Sequence, residues 1–74
     1  MLHVDTNKLR GKMAERRVTQ EELARQIGMN AATFYRKMQA NGLAFTVGQM
    51  HDMVDFLHMS ADEATNIFLC NNSQ

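Results

Sequence analysis

Proline is absent and cysteine occurs once. No apolar run approaches the length of about 18 residues that a membrane-spanning helix needs. Without proline, nothing breaks a helix from within. A lone Cys70 cannot close an internal disulfide, which suits a reducing cytosol. No charged-then-apolar leader directs the chain to a membrane. There is no Gly-rich loop and no constellation of acid, base and nucleophile, so an enzyme is not expected. His51 and His58 fall on a predicted fourth helix, but two histidines and one thiol fall short of a zinc ligand set, which needs three or four. No metal, cofactor or small-molecule ligand is expected. Internal repeats and low-complexity segments are also missing.

Lysine and arginine are missing from the second half. All eight basic residues lie between Lys8 and Lys37, and residues 1–40 carry four acidic residues, a net of +4. Residues 41–74 carry Asp52, Asp55, Asp62 and Glu63 with no lysine or arginine, a net of −4. The formal net charge of +0 therefore hides a charge dipole. Such a dipole can turn one basic face to a polyanion and hold the other away. Basic residues also decorate helices for solubility alone.

What is present is the alphabet of short capped helices. The 74 residues make one small domain, which buries only roughly 60% of its unfolded surface. Helix 1 starts at Asp5 or Thr6 and runs to about Arg16, with Leu9, Met13 and the flanking Ala14 as its apolar stripe. Lys8, Lys12 and Arg16 share another face, and Arg16-Arg17 puts positive charge at the negative end of the helix. Thr19 with Glu22, Thr46 with Gln49 and Ser60 with Glu63 each have the spacing of a capping box. Helix 4 carries Met50, Met53, Val54 and Leu57, with Phe45 placed to staple its start against Met50. Helix 5 carries Ala64, Ile67 and Phe68. Gly42 suits a left-handed cap closing helix 3. The run Ile67-Phe68-Leu69-Cys70 is too wide for one core face, so the end folds back or meets a second copy. Residues 71–74 read as a frayed tail. Seven methionines read as core filler.

The organising stretch is Thr19 to Met38. Leu23, Ala24 and Ile27 line a short second helix from about Gln20, and Gly28 follows where a chain leaving a helix needs positive φ. Asn30 can cap a third helix from about Ala31 to Gln39, whose Phe34 and Met38 point inward. A short helix, a tight turn and a second helix with a polar, basic face form the plan of a helix-turn-helix DNA reader. Gln20, Ala24, Gly28, the apolar Leu23, Ile27, Met29 and Phe34, and the downstream Phe45-Thr46, Phe56-Leu57, Ser60 and Ile67-Phe68 resemble the lambda-repressor/Cro-like (XRE) helix-turn-helix family of bacteria and their phages. The chain departs from many members by placing Ala31-Ala32 where they carry glutamine or another polar residue, so no base preference is carried over.

The resemblance implies an all-α, five-helix lambda-repressor-like DNA-binding domain over residues 1–74, with the motif at about 20–39. It implies a cytoplasmic, sequence-specific regulator of transcription in a bacterial cell, encoded by the host or a phage, with a double-stranded DNA operator as partner. The first turn of helix 3 is the part that enters a major groove, so Asn30, Ala31, Ala32 and Thr33 are the first candidates for base edges. Asparagine can pair with adenine, and an alanine or threonine methyl can pack on thymine. Tyr35 and Arg36 follow on the exposed side. Arg36 can take a guanine or a phosphate, and Lys37 a phosphate. Arg17 and Gln20 are candidates for the DNA backbone, as are Asn41 and Thr46 from the loop between helices 3 and 4. Each of these side chains also has a plain reading as solvated helix surface.

A module of this size touches few base pairs, so a homodimer is expected, at least on DNA, with Ile67, Phe68 and Leu69 of helix 5 as the interface. With no second domain for cleavage or ligand sensing in view, the chain looks more like a Cro-type regulator than an inducible repressor. The rival is a protein-binding adaptor of the same fold, an antirepressor or antitoxin-like protein working through the acidic C-terminal half.

Overall fold

The computed structural model describes residues 2–40 and 45–71, with Leu2 and Asn71 described by backbone alone. The chain runs β1 (Leu2–His3), α1 (Thr6–Glu15), α2 (Gln20–Gln26), α3 (Ala31–Gln39), α4 (Val47–Phe56), α5 (Ala61–Phe68) and β2 (Cys70–Asn71). The five expected helices are present. The expected Gly42 cap and the Asn41 contact lie outside the described residues.

All five helices begin in the same way. The N-cap residue is Asp5, Thr19, Asn30, Thr46 or Ser60, and its side-chain oxygen accepts the backbone N–H of the residue three further on, at 2.8–3.1 Å. In α2, α4 and α5 that later residue returns a side-chain oxygen to the N-cap N–H at 2.9 Å, completing the three capping boxes. Each N-cap follows an apolar residue, Val4, Val18, Met29, Phe45 or Met59, buried in the core or packed against it. The fourth helical position is again apolar in each case: Leu9, Leu23, Phe34, Met50 or Ala64. This is the arrangement of the hydrophobic staple.

Three helices also end alike. Arg17, Gly28 and His58 follow the C-caps of α1, α2 and α4 with φ of 59°, 78° and 53°. The next residue donates its N–H back to the helix: Val18 to Met13 at 2.9 Å, Met29 to Ala24 at 2.9 Å, and Met59 to Val54 at 3.0 Å. The left-handed residue itself donates to Ala14, Arg25 and Asp55 respectively. These are Schellman closures. Two of the three use a residue that pays a steric penalty for positive φ. His58 therefore lies beyond α4 and not on it with His51, as the sequence had suggested.

The core gathers Leu9 and Met13 of α1, Leu23 and Ala24 of α2, Phe34 and Met38 of α3, Met53 of α4, and Ile67 and Phe68 of α5. Ala14, expected beside the α1 stripe, is exposed. The rings of Phe34 and Phe45 lie 5.5 Å apart and tilted by 40°, tying the start of α4 to α3. The C-terminal apolar run resolves by folding back. β1 and β2 pair antiparallel, Leu2 with Asn71 and His3 with Cys70, and the Asp5 N–H meets the Ile67 carbonyl at 2.7 Å. Asn71, expected to be frayed, is therefore paired.

Two basic side chains do structural work that their spacing did not reveal. Lys12 is 6% exposed, with its ammonium 2.7 Å from Glu63 on α5 and 3.4 Å from Glu15. Arg16 reaches the far end of α4, donating from Nε to the Leu57 carbonyl at 3.0 Å and from Nη2 to the His58 carbonyl at 3.2 Å. A guanidinium thus satisfies carbonyls that the helix end leaves without partners.

Gly28 and His58 should respond to mutation with opposite signs. A Cβ on Gly28 would meet nothing within 4 Å, so Gly28→Ala is strained only in its backbone and should cost about 1 kcal/mol. His58→Gly should gain up to about 1 kcal/mol. Urea unfolding of the two variants measures both shifts.

The Lys12–Glu63 pair predicts an acid-dependent stability. The Lys12 hydrogen bond, and after it the Ser60 N–H, hold the Glu63 carboxyl below its ordinary value of 4.5. The ionised form is the stabilising one, so its contribution is complete above that ordinary value and fades as pH falls through the lowered one. Glu63→Gln keeps an oxygen for the capping box, as Gln49 does in α4, but removes the anion facing Lys12. Thermal melts should show the variant less stable at neutral pH, with the gap to wild type closing as pH falls below the ordinary glutamate value.

Candidate nucleic-acid interface

α2 and α3 meet at the Gly28 elbow, and the crossing is close because Ala24 is small and 1% exposed. The Ala24 carbonyl receives both the Ile27 and the Met29 N–H, so the same residue closes the helix and packs the crossing. Phe34 and Met38, at 0% and 1% exposure, anchor α3. With the inner face anchored, α3 turns Ala32, Tyr35 and Arg36 to solvent, and Ala31, Thr33 and Lys37 are half-buried at the margins. Tyr35 is 54% exposed, one of the few large apolar side chains in solvent.

The helix starts differ in charge. Glu21 and Glu22 occupy the first turn of α2, and Asp62 and Glu63 that of α5. The Thr19 backbone N–H, and then its hydroxyl, hold the Glu22 carboxyl below its ordinary value. The positive end of the α2 dipole is thus met within the chain. The first turns of α1, α3 and α4 have no acidic residue; the Asp5 carboxylate caps α1, so α3 and α4 are the helices whose positive ends meet no carboxylate at the start.

A family model described as the Cro/C1-type HTH DNA-binding domain matches residues 8–60. The chain belongs to this family. No curated relative and no solved structure matches it significantly. The match covers more than two thirds of the chain and takes in most of α1 and all of α2 to α4 with the Ser60 cap, so the elbow described above is the helix-turn-helix of a Cro/C1-type domain. DNA binding is accordingly the general role of the protein.

The expected contact residues of this Cro/C1-type domain are distributed as follows. Arg17, Asn30, Ala32, Tyr35, Arg36 and Thr46 are exposed, and Gln20, Ala31, Thr33 and Lys37 are half-buried. Several have intramolecular work as well. The Asn30 Oδ1 accepts the Thr33 N–H at 2.8 Å, Thr46 caps α4, and Arg36 Nη2 donates to Thr33 Oγ1 at 3.4 Å. Lys12 and Arg16, read from the sequence as part of one basic face of helix 1, are spent on α5 and α4 instead. Their partners lie 51 and 41 residues away, a separation that no local pattern encodes. The three dimer residues split. Ile67 and Phe68 are 5% and 7% exposed inside the monomer core, where they cannot also form an intermolecular surface, and Leu69 is 53% exposed. Among the described residues no group of three His, Cys, Asp or Glu side chains could hold a metal ion, and no helix is long and apolar enough to cross a membrane.

Proposed function

We propose that the protein is a sequence-specific, Cro-like regulator that binds duplex DNA with α3 in the major groove. The observation that carries this reading is the outward flank of α3 between Asn30 and Lys37. It is polar and basic, begins at a helix start with no acidic residue in its first turn, and is held rigid by Phe34 and Met38 beneath it. Arg17, Gln20, Lys37, Asn41 and Thr46 hold phosphates and set the register. Asn30, Ala31, Ala32, Thr33, Tyr35 and Arg36 face base edges. Regulation follows most simply from occluding a promoter.

A two-fold pair of such domains would place its α3 helices about 34 Å apart, one turn of DNA. With Ile67 and Phe68 committed to the core, the homodimer reading rests on Leu69 and the open apolar groove between α4 and α5, of about 370 Å³, where Val47, Met50 and Val54 also contribute. The same groove is what an adaptor protein would use, and salt dependence separates the two readings.

Gel shifts on duplex DNA should therefore weaken steeply as salt rises, because each neutralised phosphate releases counterions. Arg17→Gly sharpens the test. It removes a cation at a left-handed position, so it should raise stability while lowering affinity and reducing the salt slope by about one. Binding that ignores salt would favour the adaptor. Sedimentation of the DNA complex should show two protomers for wild type and one for Leu69→Asp.

A further inference from the structure

We infer that the first turn of α3 recognises thymine through its C5-methyl group, with Ala32 as the principal contact and Ala31 and Thr33 beside it. The inference rests on the DNA-binding reading above and specifies what that site takes.

The argument is an inventory of what the turn can offer. A backbone N–H requires an oxygen acceptor, so the Thr33 N–H fixes which way the Asn30 amide points and occupies its Oδ1 at 2.8 Å. Bidentate pairing with adenine needs that oxygen to accept and the amide nitrogen to donate at once. Oδ1 keeps a second lone pair, but while it caps α3 the amide is held to the helix start, so Asn30 can pair with adenine only in the orientation the cap sets. Its NH2 remains a donor suited to a phosphate or a single acceptor. Thr33 Oγ1 accepts from Arg36 Nη2 at 3.4 Å and keeps its O–H donor, and its methyl group adds to the apolar surface of the turn. Ala31 and Ala32 have nothing but a methyl group, and Ala32 is exposed. The turn that leads α3 into a groove thus presents three methyl groups, with Ala32 open to solvent, beside the polar atoms of Asn30 and Thr33. Among the major-groove edges only thymine presents an apolar group. A Cβ with no longer side chain also lets the helix approach the base edges closely.

The experiment has two arms on the intact chain. Selection from a random duplex pool defines the bound motif, and each thymine in it is then replaced by deoxyuridine, which removes the methyl and leaves every hydrogen-bonding group in place. At one or two positions per half-site, affinity should fall roughly three- to tenfold, the value of one buried methyl. In Ala32→Gly, checked for folding by thermal melt, the same replacement should cost much less, because the partner methyl is already gone. A defined motif insensitive to deoxyuridine at every thymine would overturn the inference and leave DNA binding standing. Failure of any sequence to be selected would overturn both.

Discussion

Helices of seven to ten residues are shorter than the roughly 12–15 residues at which an isolated helix begins to hold in water. Every other feature of this fold depends on how that shortfall is met. The chain meets it at the helix starts, where one six-residue grammar recurs: apolar residue, oxygen-bearing cap, three helical residues, apolar residue. It reads VDTNKL, VTQEEL, MNAATF, FTVGQM and MSADEA. A cap of this kind contributes about 1 kcal/mol. Five of them rival the lower end of a small domain's whole stability margin, about 5 kcal/mol.

The same economy shapes the elbows. After α1, α2 and α4 a C-cap, a single left-handed residue, a single apolar residue and the next N-cap make the entire connection. The apolar residue serves both helices, closing the one behind and stapling the one ahead. So short a link leaves little freedom in the angle between α2 and α3, which is the angle a groove-reading pair has to preserve. Arg16 extends the principle across the molecule by supplying to the end of α4 the donors that its own chain does not.

Much of this was legible because it is local. Thr19 with Glu22, Thr46 with Gln49 and Ser60 with Glu63 announce helix starts within four residues, and α3 has the bounds read for it, Ala31–Gln39. Gly28 announced its own positive φ, whereas Arg17 and His58 adopt the same conformation without glycine, because the apolar residue after each is drawn into the core. The Lys12–Glu63 pair and the folding back of Cys70-Asn71 on Leu2-His3 join distant parts of the chain, and no spacing rule reaches them. The apolar run at Ile67-Phe68 showed its hydrophobicity plainly but not its destination. Whether such a run meets its own core or a second copy is decided by the elements packed around it. In the candidate interface, residue types and the Asn30 cap could be read in advance, but the bond from Arg36 to Thr33 could be seen only once α3 had formed.

The charge dipole of the sequence acquires a different meaning in the fold. Lys12 and Arg16 are withdrawn from the basic face, one to neutralise an acidic group of α5 and the other to close α4. The acidic half is therefore not simply turned away from a polyanion, since part of it is stitched to α1. The groove between α4 and α5 is left mainly apolar. Charge then discriminates among helix starts. α1, α2 and α5 carry their own carboxylates at the positive end of the dipole, and α3 and α4 carry none. At α2 the charges of Glu21 and Glu22 oppose an approaching anion, whereas at α3 the Asn30 amide oxygen closes the Thr33 N–H and the methyl groups of Ala31, Ala32 and Thr33 share its first turn. The exposed cations Arg17 and Arg36 bracket this start in the sequence, so the positive charge of the elbow lies beside its small side chains and not among them.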